Sequence, residues 1–270
     1  RSSSICLMGI LSEAGDLPLA VGNMSKVVLS GRAVKRTATP ASVTIQRYLS
    51  YLRSSGVEWV PEPLGFDESG RELLGFIEGE AVDGVPPDWF WEEVLLRDVA
   101  GRLRELHDAS VCFSAEGEGW NWESLEPQEV ILHRDFAPYN CVFREGRFVG
   151  LIDFDLCAPG PRIWDIAYTA YRFVPLMPQG SGCWSVSPFD LGAMLDRLRV
   201  FLEAYGSGDE TQVFSVGAVL ATTLQRLDSM VAWVEEWVKE HPSSALVENA
   251  ATYAQHRAWL AKVVGQLGGG

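Results

Sequence analysis

No stretch of this sequence approaches the roughly 20 uninterrupted apolar residues that a membrane-spanning helix needs. Charge, glycine or proline interrupts every apolar run within a few residues, so the chain reads as soluble, without a membrane partner. Paired cysteines are missing too. Cys6, Cys112, Cys141, Cys157 and Cys183 are odd in number, widely separated and free of any CxxC pair. That pattern argues against a disulfide framework or a thiolate metal site and for reduced thiols in a cytoplasmic protein. Histidine is scarce, with four residues at 107, 133, 241 and 256 and no paired spacing, whereas hydrolytic zinc centres gather several. Positive charge is in deficit: 22 Lys and Arg against 36 Asp and Glu leave a net charge of −14. A nucleic acid would be repelled over most of such a surface, while a small cationic substrate would not.

What is present is enough for a real core. The chain has 270 residues, 47% of them apolar, room for one large or two modest domains. Short strand-like runs at Lys26 to Leu29, Ala33 to Arg36 and Arg71 to Ile77 are punctuated by turns at Ser30-Gly31 and Asp67 to Gly70. Between them Ile45, Tyr48, Leu49 and Leu52 recur at helical spacing, predicting one helix over Ala41 to Ser54. A polar, proline-rich stretch after Gly79 marks a lobe boundary, with residues 1–79 as one lobe and 80–270 as the other. Beyond it, Phe90, Val94, Leu95, Val99, Leu103 and Leu106 predict a long helix from Asp88, its N-cap, to His107. Strand runs at Cys141 to Arg144 and Phe148 to Phe154 flank a turn at Glu145-Gly146-Arg147. Segments at about 189–205, 210–239 and 243–266 are helical by period.

The chemistry concentrates in His133-Arg134-Asp135-Phe136-Ala137-Pro138-Tyr139-Asn140, followed by Gly150-Leu151-Ile152-Asp153-Phe154-Asp155. Phosphoryl transfer to an alcohol needs an acceptor for the hydroxyl proton and hard oxygen ligands for Mg2+ close to the γ-phosphate. A loop with Asp135 and, five residues on, Asn140 supplies a base and an amide-oxygen ligand, and the hairpin then returns Asp153 to the same metal. His133 is suited to bracing the loop by hydrogen bonds. Asp155, two residues after Asp153, would share a strand face with it and serve either a second metal or as a brace.

These segments, with Leu106-His107 and Pro161-Arg162-Ile163-Trp164-Asp165-Ile166-Ala167, resemble the aminoglycoside phosphotransferase and choline kinase superfamily. The resemblance implies an α+β, two-lobed protein-kinase-like fold, with a small β-rich N-terminal nucleotide-binding lobe and a larger, mostly helical catalytic lobe. It implies Asp135 as catalytic base, Asn140 and Asp153 as Mg2+ ligands, Asp165 as support for the loop, and ATP or GTP as co-substrate. Val21-Gly22-Asn23-Met24-Ser25 resembles the phosphate-covering loop through Gly22 and Ser25. Lys35 matches the strand cation, with Arg36 competing from the opposite face. Phe76 and Ile77, before Glu78-Gly79, resemble the purine-binding hinge. The chain departs from the pattern in the helix from Ala41 to Ser54, which carries no acidic residue to hold the strand cation; Gln46 is a neutral candidate. The acidic run Glu116, Glu118, Glu123, Glu126 and Glu129 suits a polyamine-like sugar, and Trp120, Trp122, Trp164 and Trp184 suit stacking on a sugar or cation. A metabolic sugar or amino-alcohol kinase fits equally, and the rival classes are a degenerate kinase-like binding protein and a metal-dependent hydrolase.

Overall fold

The computed structural model describes residues 17–19, 27–114, 117, 119–181, 187–206, 214–240 and 246–267. The expected loop around Gly22 and Ser25 lies outside them. Contacts divide the chain into two compact units, residues 1–82 with 105–162 and residues 83–104 with 163–270.

In the first unit, β1 (Leu17–Leu19), β2 (Val27–Ser30), β3 (Ala33–Arg36), β4 (Pro63–Phe66) and β5 (Glu72–Gly75) form a five-stranded antiparallel sheet in the order β1-β2-β3-β5-β4. The β2–β3 hairpin turns at Gly31, whose φ of 61° is a left-handed value that glycine takes without steric cost. The register of β3 on β5 places Arg36 opposite Glu72 and Val34 opposite Leu74. Alternation sends those two pairs to one face and Lys35, opposite Leu73, to the other.

Helix α1 (Ser42–Ser54) lacks a side-chain N-cap and exists because of what it buries. Ile45, Tyr48, Leu49 and Leu52 are at most 1% exposed, and each large apolar side chain taken from water contributes roughly 1.5–3 kcal/mol. The expected helix is therefore present, starting one residue later.

Strands β7 (Cys141–Arg144) and β8 (Arg147–Leu151) form the central hairpin. Pairing of Arg144 with Arg147 leaves a two-residue turn, Glu145-Gly146, both with positive φ (51° and 71°), as the right-handed strand twist favours. β8 stops at Leu151 rather than running to Phe154, because Asp153 takes a left-handed conformation (φ 65°, ψ 70°) and Phe154–Leu156 form a 3-10 turn. Asp153 and Asp155 therefore do not share a strand face as expected. A further pair that periodicity did not reveal joins β6 (Val130–Leu132) to β9 (Ala158–Gly160).

The second unit is helical. The expected helix from Asp88 is instead a 3-10 turn, Asp88–Trp91, an extended Glu92 (φ −64°, ψ 138°), and α2 (Glu93–Ser110), whose residues from Glu105 on lie in the first unit. Aromatic packing explains the break: Phe90 stacks on Phe173 at 5.3 Å while Trp91 meets Phe189 edge-on at 5.6 Å, demands that one continuous helix would not meet. Then come α3 (Arg162–Phe173), α4 (Leu191–Gly206), α5 (Val216–Glu240) and α6 (Leu246–Leu267), with α5 and α6 packed along each other. Around His256 and Arg172, buried polar groups bond to one another. His256 is bonded to the Tyr171 hydroxyl through Nδ1 and to Ser181 Oγ through Nε2. Arg172 donates to the hydroxyls of Tyr168 and Tyr253 at 3.0 and 3.1 Å. Among the described residues no helix is long and apolar enough to cross a membrane.

Candidate active site

β6 is buried along its length and delivers the chain to His133; Phe136 and Ala137, both 0% exposed, then pin the loop to the core. The turn closes where Ala137 O accepts from Asn140 N at 2.9 Å and Cys141 N at 3.0 Å, starting β7. Two ties return the end of β8 to this loop: Ile152 N donates to Asn140 O at 2.9 Å, and His133 Nε2 lies 3.1 Å from Ile152 O. With Asp135 N donating to His133 Nδ1 at 3.3 Å, the ring is satisfied as a neutral imidazole that donates from Nε2. These bonds tie His133 to Asp135 and to Ile152, the residue before Asp153.

Asp135 accepts two hydrogen bonds on its carboxylate, from the Tyr139 hydroxyl to Oδ1 (2.6 Å) and from Asn140 Nδ2 to Oδ2 (2.8 Å). Asn140 Nδ2 also donates to Asp135 O at 2.9 Å. With the amide nitrogen committed to Asp135, the amide oxygen of Asn140 is the atom left for a cation. Asp153 is densely surrounded by protein yet keeps its side chain open to water. Its carboxyl is pushed up to about 6, chiefly by desolvation, then by Asp155 and Asp135, with Arg36 partly opposing. Cys141, beneath the loop, has its thiol pushed well up by burial and then by Asp135, so it is no nucleophile. It and Cys157 are the buried free thiols expected, whereas Cys112 is exposed.

Two residues of this cluster were not assigned to it from the sequence: Glu72 was not named, and Arg36 was named only as a competitor of Lys35. Arg36 is 7% exposed; it donates from Nε to Glu72 Oε2 at 2.7 Å and from Nη1 and Nη2 to the two oxygens of Asp155 at 2.9 and 2.6 Å. Burial alone would lower its pKa, but Asp155, Glu72 and Asp153 outweigh that and raise it. Glu72 supplies from β5 the acidic partner that α1 lacks, and α1 instead holds Glu72 through Ser42 Oγ and Gln46 Nε2, both at 3.0 Å. Only the cross-strand register links Arg36 to Glu72, so no local motif could have found the pair.

Asp135, Asn140, Asp153, His133 and Asp155 are therefore brought together, with Arg36 as the β3 cation among them and Lys35 on the other face of the strand. Phe76 uses its amide N–H on Arg32 O at 2.9 Å, and the Ile77 side chain lies where a Cβ on Gly150 would stand, 2.8 Å from it. Asp165 is buried in the first turn of α3, in the second unit. Of the acidic run, Glu129 accepts from Arg162 N at 2.8 Å, while Glu116, Glu118 and Trp184 lie outside the described residues.

Among the described residues no group of three or more His, Cys, Asp or Glu side chains forms a metal cage. The donor set available is the oxygen of the buried Asn140 with the exposed Asp153. That suits Mg2+, which retains waters and takes phosphate oxygens rather than a full protein shell.

Asp135 and Asn140 on one loop and Asp153 after the following hairpin, beside a five-stranded antiparallel sheet, make up a kinase-like fold. Residues 114–178, about a quarter of the chain, match the model of a phosphotransferase enzyme family, and solved structures carry the kinase-like fold expected from the sequence. A choline kinase from Cryptosporidium parvum Iowa II superposes with a TM-score of 0.66 at 13% identity, covering 94% of this chain and 90% of that one. A putative aminoglycoside phosphotransferase from Ralstonia eutropha JMP134 gives 0.65 at 15% identity, with 94% of each chain covered. In sequence, the chain is 38% identical over 151 residues to the trifolitoxin immunity protein of Rhizobium leguminosarum bv. trifolii. That match spans 53% of this chain and 56% of the relative, little more than half of either.

Proposed function

We propose that the chain is a small-molecule kinase that transfers the γ-phosphate of Mg-bound ATP or GTP to a substrate hydroxyl. The observation that carries this reading is the commitment of Asn140 Nδ2 to Asp135, which leaves one carboxylate beside one amide oxygen with Asp153 tied in next to them. In this reading Asp135 orients the attacking hydroxyl and takes its proton, and the Tyr139 hydroxyl, donating to Asp135 Oδ1 at 2.6 Å, stands where that hydroxyl would. Asn140 and Asp153 would hold Mg2+, which when bound offsets the charge of the β- and γ-phosphates. The β3 cation that reaches this cluster is Arg36, through Asp155, with Lys35 on the opposite face of the strand. Phe76 to Gly79 would serve the purine from the backbone, residues 1–79 would form the nucleotide lobe and residues 80–270 the catalytic lobe, with Asp165 as a support. The buried thiols of Cys141 and Cys157 support a reducing, cytoplasmic setting.

The name of the trifolitoxin immunity relative favours a protective role, with an antimicrobial compound as acceptor, over housekeeping metabolism. The test is nucleotide consumption with Mg2+ and either ATP or GTP across aminoglycosides, macrolides, choline-like amino alcohols, sugars and trifolitoxin itself. Stimulation by one class identifies the acceptor. A chain that bound nucleotide but turned over with none of them would favour the degenerate binding protein.

A further inference from the structure

The donors of Arg36 are committed within the chain on three sides. Nε is bonded to Glu72, and the Nη1/Nη2 fork closes on both oxygens of Asp155. Glu72 is itself 0% exposed and fixed to α1 by Ser42 and Gln46. Gln46 is anchored in turn, its Nε2 also donating to Leu73 O at 3.1 Å and its Oε1 accepting from Gly65 N at 2.9 Å. The guanidinium is thereby mounted on a frame of β3, β5, β4 and α1.

What the frame grips is the turn that carries Asp153. Asp155 lies two residues beyond Asp153, and a second tie holds the same turn: Asn121 Nδ2 donates to Asp155 O at 3.2 Å and to Thr39 Oγ1 at 3.1 Å. Asp153 needs such restraint, because its φ of 65° belongs to the left-handed region that a residue with a Cβ occupies only when its surroundings impose it.

We propose that Arg36 is a positioning residue for the metal-binding turn, acting through the Asp155 carboxylate to hold Asp153 beside Asn140, rather than a hand laid on the nucleotide phosphates. The inference rests on the phosphotransferase reading of the site. It also accounts for arginine at this position. Two parallel N–H donors in one plane fix both the location and the rotation of a carboxylate, whereas a lysine ammonium offers a point charge that fixes only distance.

The two roles separate in ADP binding measured calorimetrically with and without Mg2+. Positioning predicts that Arg36→Lys leaves metal-free ADP affinity within about twofold of wild type but lowers the gain in affinity on adding Mg2+ about tenfold, the size of one lost charge-assisted contact. Asp155→Asn should reproduce that loss, and the double variant should lose no more than the larger of the two, since both substitutions break one connection. Should Arg36→Lys fail to fold, Asp155→Asn, which leaves the Arg36–Glu72 pair in place, reads out the same quantity. A tenfold loss of metal-free ADP affinity with the Mg2+ gain intact would overturn the proposal in favour of direct phosphate binding, and so would a Mg2+ gain unchanged in both variants. Wild-type protein that bound ADP in neither condition would overturn the phosphotransferase reading itself and this inference with it, a result distinct from either Arg36-specific failure.

Discussion

In the first unit, Asp153 and Asp155 lie by the Arg36 guanidinium, and the carboxyl of Asp153 is driven upward chiefly by desolvation, then by Asp155 and Asp135. In the second unit, the buried polar groups around His256 are hydroxyls and a neutral imidazole, and Arg172 lies against the rings of Tyr168, Tyr171 and Tyr253. There the imidazole is held down to about 4, first by burial and then by Arg172. One cluster keeps an excess of negative charge at the exposed Asp153, where an arriving cation would relieve it. The other keeps its buried imidazole un-ionised beside the Arg172 charge. Function is therefore sought in the first and stability in the second.

The sharpest way to break that division is Asp135→Asn, which should lower turnover by about 10²-fold or more while nucleotide affinity holds, the usual size of general-base catalysis. Turnover within a few-fold of wild type would remove Asp135 from the reaction. Next, Asp153→Asn should abolish the Mg2+ dependence of nucleotide binding and lower turnover with it. The same variant tests the charge argument without metal. A carboxyl whose folded pKa lies near 6, above its ordinary 3.8, binds its proton more tightly in the folded chain, so metal-free wild type should gain stability from this group as pH falls from 7 through 6 toward 4. Asp153→Asn should lack that gain, and parallel melting curves for the two proteins over this range would contradict the assignment.

His256 predicts the opposite slope. Its folded pKa near 4 lies below the ordinary 6.5, so the stability it contributes is complete above 6.5 and is lost as pH falls from there toward 4. The expected loss is a few kcal/mol at most, at about 1.4 kcal/mol per unit, and His256→Asn should flatten it in urea melts. The smallest expected effect is that of Lys35→Ala. On the face of β3 away from Arg36, it should change ADP affinity by less than about twofold. A tenfold loss of ADP affinity would give Lys35 a role on the nucleotide phosphates.

The site was legible in the sequence where its parts are close along the chain. Asp135, Asn140 and Asp153 span nineteen positions joined by one tight hairpin, and local turn chemistry suffices to bring them together. The burial of Ile45, Tyr48, Leu49 and Leu52 was legible for a similar reason, since helical period alone defines a face. What stayed hidden depends on distant partners. Arg36 meets Glu72 and Asp155 across 36 and 119 positions, and whether Arg36 or Lys35 faces the site is decided by a register that no single strand states. The pairing of β6 with β9 joins strands of three residues each, too short for alternation to register. The break at Glu92 came from competition between aromatic packing and helical period, and packing won.

The most direct test of the central claim follows the phosphorus. With Mg-ATP or Mg-GTP and the acceptor class that stimulates consumption, 31P NMR should show a phosphomonoester of the acceptor growing in step with the diphosphate, and Asp135→Asn should suppress both signals together. Release of inorganic phosphate alone, or a phosphomonoester formed equally well by Asp135→Asn, would contradict the account.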